Sequence, residues 1–214
     1  MRKYIVEFIG TFFLVLTIAL AVHSGSALAP VAIGCMLMVM VYMGGHVSGA
    51  HYNPAVSAAV LIRGKMNVQD VGPYLVAQFA GALLASALGH FATGQAFSPA
   101  PAADVSVPVA IALEAVFTFA LASVVLNVAT HAKTAGNSYY GAAIGLTVAA
   151  SAVAVGPVSG CALNPAVGCG TVLYRVFAGD NPGANLLVIY SVGPVLGGVA
   201  AAAVFSLTKG PDAD

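Results

Sequence analysis

Six long stretches of this chain are apolar on every helical face: residues 4–22, 29–45, 71–92, 106–130, 139–156 and 184–207. Each falls within the roughly 17–25 residues that a helix needs to cross the hydrocarbon layer of a bilayer. None alternates polar and apolar positions as a membrane-barrel strand does. Two further apolar pieces, 54–61 and 165–174, are too short to cross, and each opens with a proline, Pro54 or Pro165. Proline suits a first helical turn because the N–H it lacks would have no partner there, so these pieces predict half-helices that enter the bilayer and stop. The first run is preceded by Arg2-Lys3 and followed by Ala27-Leu28-Ala29, the layout of a cleavable signal. Glu7 within it, and a matching segment in mid-chain, favour reading it instead as the first span.

The polar positions that interrupt this pattern come in pairs. Asn53-Pro54-Ala55 and Asn164-Pro165-Ala166 each close a longer string, Ser-Gly-x-x-x-Asn-Pro-Ala-Val, that begins at Ser48-Gly49 and at Ser159-Gly160 and ends at Val56 and Val167. Glu7, Thr11 and Phe12 recur as Glu114, Thr118 and Phe119, Ile33-Gly34 recurs as Ile144-Gly145, and Gly81 has its counterpart in Gly193. The chain reads as one domain over 1–214, built from a repeat over about 1–95 and a second over about 105–210. Each repeat holds three spans and one half-helix. An odd number of spans makes the second repeat enter from the opposite face, so the fold class is an all-α membrane protein with an inverted tandem repeat, six transmembrane helices and two re-entrant half-helices.

Composition agrees with lipid as the solvent: 7% of residues are charged, 60% are hydrophobic and the mean hydropathy is +0.96. A formal net charge of zero offers no basic surface for nucleic acid. Cys35, Cys161 and Cys169 lie in apolar surroundings and imply no disulfide framework. No nucleophile with a base and no metal-ligand spacing is evident, so neither an enzyme, a metal site nor a cofactor is expected. Arg2, Lys3, Arg63, Lys65, Lys133 and Lys209 fall on one side of the predicted topology and Arg175 on the other. By the positive-inside tendency this puts both termini in the cytoplasm, with the protein integral to the cell's inner membrane.

If the two half-helices dip in from opposite faces, their positive ends meet near the midplane and repel cations. Asn53 and Asn164 then offer amide donors to a passing solute. Gly49, Ala50, His51 and Tyr52, with Gly160, Cys161, Ala162 and Leu163, run non-helically, and such backbone is tolerated at this depth only along a wet path, where its carbonyls form a ladder of acceptors. Glu7 and Glu114 are read as structural carboxylates that accept from this backbone, the alternative being proton carriers. The His51 ring is read as an anchor, with gating as the alternative. His23 and His90 are expected at the interface, and His46 is open between the two readings. Cys161 is a candidate pore thiol, Cys35 and Cys169 are expected to be packed, and small residues such as Gly81, Ala85, Gly193 and Gly197 to serve close helix packing.

These features together resemble the aquaporins, the major intrinsic protein family of channels. The resemblance rests on both Asn-Pro-Ala boxes, the paired Glu-x-x-x-Thr segments, the run from Gly44 to Tyr52, and Gln78 with Gly81. It implies a right-handed bundle with a pore in each protomer, a homotetramer in membrane lipid, and passive conduction of small neutral solutes. By the family's spacing the selectivity constriction falls at Ile33, Ala152, Cys161 and Val167. Most members carry arginine where this chain has Val167, so the mouth is expected to be wider and less polar, and solutes such as glycerol, urea or metalloid hydroxides are expected beside water. An inverted-repeat secondary transporter and a non-conducting scaffold of the same fold are the competing classes.

Overall fold

The computed structural model describes residues 1–210, so the last four of the expected 1–214 domain lie outside it. It consists of eight α-helices and one short 3-10 turn at Ala132–Thr134. Six are long: α1 (Arg2–His23), α2 (Ala29–Ser48), α4 (Val68–Thr93), α5 (Val107–Thr130), α6 (Tyr140–Ser159) and α8 (Asn185–Thr208). All six are long and apolar enough to span a membrane. The other two, α3 (Pro54–Ile62) and α7 (Pro165–Phe177), are the half-helices.

Helix ends extend past the apolar runs where a polar residue finds a partner. The third span begins at Val68, before its apolar run, because Asp70 in its first turn takes Lys3 Nζ at 2.6 Å and the Tyr4 hydroxyl at 2.8 Å. The second and fifth spans continue to Ser48 and Ser159, and each stops at a glycine in the left-handed region, Gly49 at φ 83° and Gly160 at φ 89°. A side chain at either position would be strained, which is why the Ser-Gly pair recurs.

The packing has a two-fold pattern. α1 lies on α2 and α4 as α5 lies on α6 and α8; α3 touches α4, α5 and α8 as α7 touches α8, α1 and α4. α2 packs on α6, and α3 meets α7. The α2–α6 crossing is close because Gly34 and Gly145 face each other's carbonyls, and a Cβ on Gly34 would sit 2.5 Å from Gly145 O and 2.6 Å from Ala149 Cβ. Small residues are what allow such an approach in lipid, where no hydrophobic driving force exists between helices. One expectation for α2 is corrected: Cys35 is exposed, because it sits one residue on from Gly34, about 100° around the helix, and so turns away from the bundle.

Gly34→Ala is expected to destabilise the fold by about 1–3 kcal/mol through overpacking. Gly72→Ala, where a Cβ meets nothing within 4 Å, should not lower stability. Thermal unfolding of both variants in one detergent checks the contrast, and equal melting points would remove the crossing from the account.

Candidate functional site: two capped half-helices in a pore

Each half-helix begins at an asparagine in extended backbone, with φ −156° for Asn53 and −158° for Asn164. The side-chain oxygen caps the helix. Asn53 Oδ1 accepts from the amides of Ala55 at 2.8 Å and Val56 at 3.4 Å, and Asn164 Oδ1 accepts from Ala166 at 2.9 Å and Val167 at 3.4 Å. Capping commits the oxygen and turns the NH2 away from the helix. One hydrogen of each NH2 crosses to the opposite half: Asn53 Nδ2 donates to Leu163 O, and Asn164 Nδ2 to Tyr52 O, both at 2.8 Å. An amide nitrogen carries two hydrogens, so one donor on each asparagine has no partner among the described residues.

The loops feeding these caps take a conformation that side chains disfavour. Ala50, Tyr52, Cys161 and Leu163 have φ of 51°, 50°, 48° and 50°. Left-handed backbone at a non-glycine residue costs about 1–2 kcal/mol each, so something must hold it. The buried carboxylates do. Glu7 accepts from the amides of His51 at 2.9 Å and Tyr52 at 2.6 Å, from Ser48 Oγ at 2.7 Å and from Gln78 Nε2 at 2.8 Å. Glu114 accepts from the amides of Ala162 at 3.1 Å and Leu163 at 2.7 Å and from Ser159 Oγ at 2.8 Å. With these amides spent on the carboxylates, the carbonyls of Gly49, Ala50, His51, Gly160, Cys161 and Ala162 accept no hydrogen bond from any described residue.

Two cavities adjoin this arrangement. The smaller, about 410 Å³, is lined by both asparagines, by Ile33, Ala152, Cys161 and Val167, and by Ala50, His51, Tyr52, Gly160, Ala162 and Leu163. Most of its remaining wall is aliphatic, including Leu14, Ile18, Leu37, Leu121 and Val148. The larger, about 750 Å³, is more polar and holds Gly49, His46, Lys3, Lys65, Asp70 and His131. His51, Val125 and Ile144 line both and mark the join. The prolines Pro54 and Pro165 and the alanines Ala55 and Ala166 are buried beneath the caps and line neither cavity. Among the described residues no three His, Cys, Asp or Glu side chains converge into a metal-holding group.

Several contributors were not foreseen from sequence. Tyr74 and Tyr190 donate to the carbonyls of Ser48 and Ser159, both at 2.7 Å, and so tie down the last turns of α2 and α6. They are not at matched repeat positions, so the duplication did not reveal them. Gly10 and Gly44 leave room for the Tyr52 ring, as Gly168 does for Tyr190. Residues 97–100 fold back to line the smaller cavity, held by Arg175 Nη1 on Ser98 Oγ at 3.0 Å and by the Ala102 amide on Val158 O at 3.0 Å. From sequence, the Pro-rich connection around Pro99 and Pro101 is open between capping the mouth and contacting a neighbouring protomer, and in the structure residues 97–100 line the cavity.

Positive helix ends meeting at one of two adjoining cavities inside a six-helix bundle define a membrane channel. The chain belongs to the major intrinsic protein family, whose model matches residues 1–205, and is therefore a channel and not an enzyme or a driven carrier. Over 228 residues it is 35% identical to a protein of Nicotiana alata named probable aquaporin NIP-type, covering 99% of this chain and 79% of that protein. It is 36% identical over 216 residues to glycerol uptake facilitator protein-like 6 of Lactiplantibacillus plantarum, covering 94% of this chain and 95% of that one. The solved aquaglyceroporin from Plasmodium falciparum shares the fold, with a TM-score of 0.84 at 22% identity over 97% of this chain and 96% of that one.

Glu7→Gln replaces an acceptor-only group with one that must turn an NH2 toward donors, leaving at least one buried amide unsatisfied at about 1–3 kcal/mol. The variant is expected to lose folded protein in detergent, and Glu114→Gln likewise, as measured by monodisperse yield and melting point. Variants as stable as the wild type would show that the carboxylates do not hold the loops.

Proposed function

We propose that this chain is a passive channel for water and for larger neutral solutes, with its constriction formed by Ile33, Ala152, Cys161 and Val167. The observation that carries the reading is the crossed asparagine pair, each with one N–H that has no partner among the described residues at the positive end of a half-helix. Two such ends carry about half a positive charge each and raise the energy of any cation between them. A water or polyol oxygen there accepts from the amides and keeps its own hydrogens for carbonyls on either side. The water file is thereby oriented away from the midpoint in both directions, which interrupts a proton wire.

Selection by size follows from the wall of the smaller cavity. An isoleucine, an alanine, a cysteine and a valine supply neither fixed charge nor a ring of donors, so a solute with apolar carbon surface loses little on entering. The name of the Lactiplantibacillus plantarum relative, glycerol uptake facilitator protein-like 6, supports polyol-sized solutes, and urea and metalloid hydroxides share that size and neutrality. Lys3 and Lys65 at the larger cavity support a cytoplasmic placement of that mouth and of both termini in an inner cell membrane. Val76, Leu84, Val153 and Leu196 are exposed on the long helices, and a homotetramer embedded in lipid accounts for them.

Val167→Arg is expected to reduce glycerol and urea permeability roughly tenfold, an added barrier of about 1.4 kcal/mol, while sparing water. Stopped-flow shrinkage and swelling of proteoliposomes measures both, and an unchanged ratio of glycerol to water would reject this constriction. A mercurial added to the same vesicles is expected to block flux through the wild type and to leave Cys161→Ser conducting.

A further inference from the structure

Glu7 heads an ordered chain of hydrogen bonds that ends at a pore-lining imidazole. The His51 and Tyr52 amides can only donate and take one carboxylate oxygen each, so the anionic carboxylate, with no hydrogen of its own to place, is the form this shell satisfies. A carboxylate only accepts, and its contact with Gln78 therefore fixes which end of that amide faces it. The second hydrogen on Gln78 Nε2 goes to Ser57 Oγ at 3.1 Å. Ser57 Oγ lies 3.0 Å from His51 Nδ1, and among the described residues Gln78 and His51 are its only side-chain partners. The serine hydrogen thus has one acceptor to reach, the lone pair of Nδ1. A proton on Nδ1 would put two hydrogens between the same two atoms and strand a hydroxyl that is 1% exposed. The ring is confined to the tautomer that carries its hydrogen on Nε2.

Nε2 itself bonds to no described residue, and His51 is the one polar member of the three residues shared by the two cavities. We propose that Glu7, Gln78 and Ser57 form a tautomer-setting relay whose output is a fixed N–H donor from His51 Nε2 at the join of the cavities. It gives a passing solute a third donor beside the two asparagine amides. His51 is the group that meets the solute, while Gln78 and Ser57 are positioning residues. The device belongs to one half only, since the positions matching His51, Ser57 and Gln78 in the second repeat are Ala162, Gly168 and Tyr190. The solute-facing role rests on the channel reading above; the tautomer does not.

The two parts separate in experiment. Solid-state NMR of the full chain in bilayers, labelled with 15N-histidine and assigned by difference against His51→Phe, is expected to show His51 protonated on Nε2 and bare on Nδ1. Ser57→Ala should give mixed tautomers, and Ser57→Thr, which keeps the hydroxyl, should restore the single one. Ser57→Ala should also lower water permeability roughly fivefold, the scale of one lost hydrogen bond, and have no further effect in a His51→Phe background. A wild-type ring protonated on Nδ1, or a Ser57→Ala loss of equal size with and without His51, would overturn the relay. A wild type that shows the Nε2 signature but passes no water or glycerol would overturn the solute-facing role together with the channel reading, while upholding the tautomer assignment.

Discussion

The structure depends on one constraint: backbone that leaves helical geometry inside a bilayer must find partners for every amide without help from water. Four left-handed residues in two short loops give up their helical bonds, and two carboxylates and two serine hydroxyls take the amides instead. Each carboxylate does two things at once. It holds a strained turn, and by taking the amides on one side of the loop it leaves the carbonyls on the other side unclaimed. A row of acceptors and a row of satisfied donors are therefore the two faces of the same hydrogen-bonding arrangement, and burying Glu7 and Glu114 is the condition for both.

The pattern repeats in the two halves, but the supports differ. The carbonyl of the serine that ends α2 is held by Tyr74, and that of the serine that ends α6 by Tyr190, residues from different turns of their helices. Gln78 completes the shell of Glu7, whereas Glu114 has no amide side chain in the matching place. The strained loop geometry is thus common to both halves, while the means of holding it are local, which is how an asymmetric pore arises from a duplicated chain.

Much of this was legible in the sequence because the bilayer narrows the choices. Apolar runs located all six spans to within a few residues, and the doubled Ser-Gly-x-x-x-Asn-Pro-Ala-Val string located both caps. What escaped depended on side chains reaching across the fold from positions without a matched partner. Tyr74 and Tyr190 sit in apolar helices and read as packing. Ser57, inside the first half-helix, reads as a small residue until His51 and Gln78 are seen on either side of it. Cys35 went wrong because a small apolar residue in a span carries no sign of which face it takes, and its neighbour Gly34 had already claimed the crossing.

The crossed amides also bear on how the protein is made. Asn53 finds its acceptor on Leu163, 110 residues further along, and Asn164 finds its own on Tyr52, 112 residues back. During synthesis the first re-entrant segment cannot complete the bonds of its asparagine until Leu163, just past the middle of the second repeat, has left the ribosome. Membrane insertion of the early spans and completion of the conduit are therefore separate events, and the nascent first half has no finished passage through which the membrane could leak.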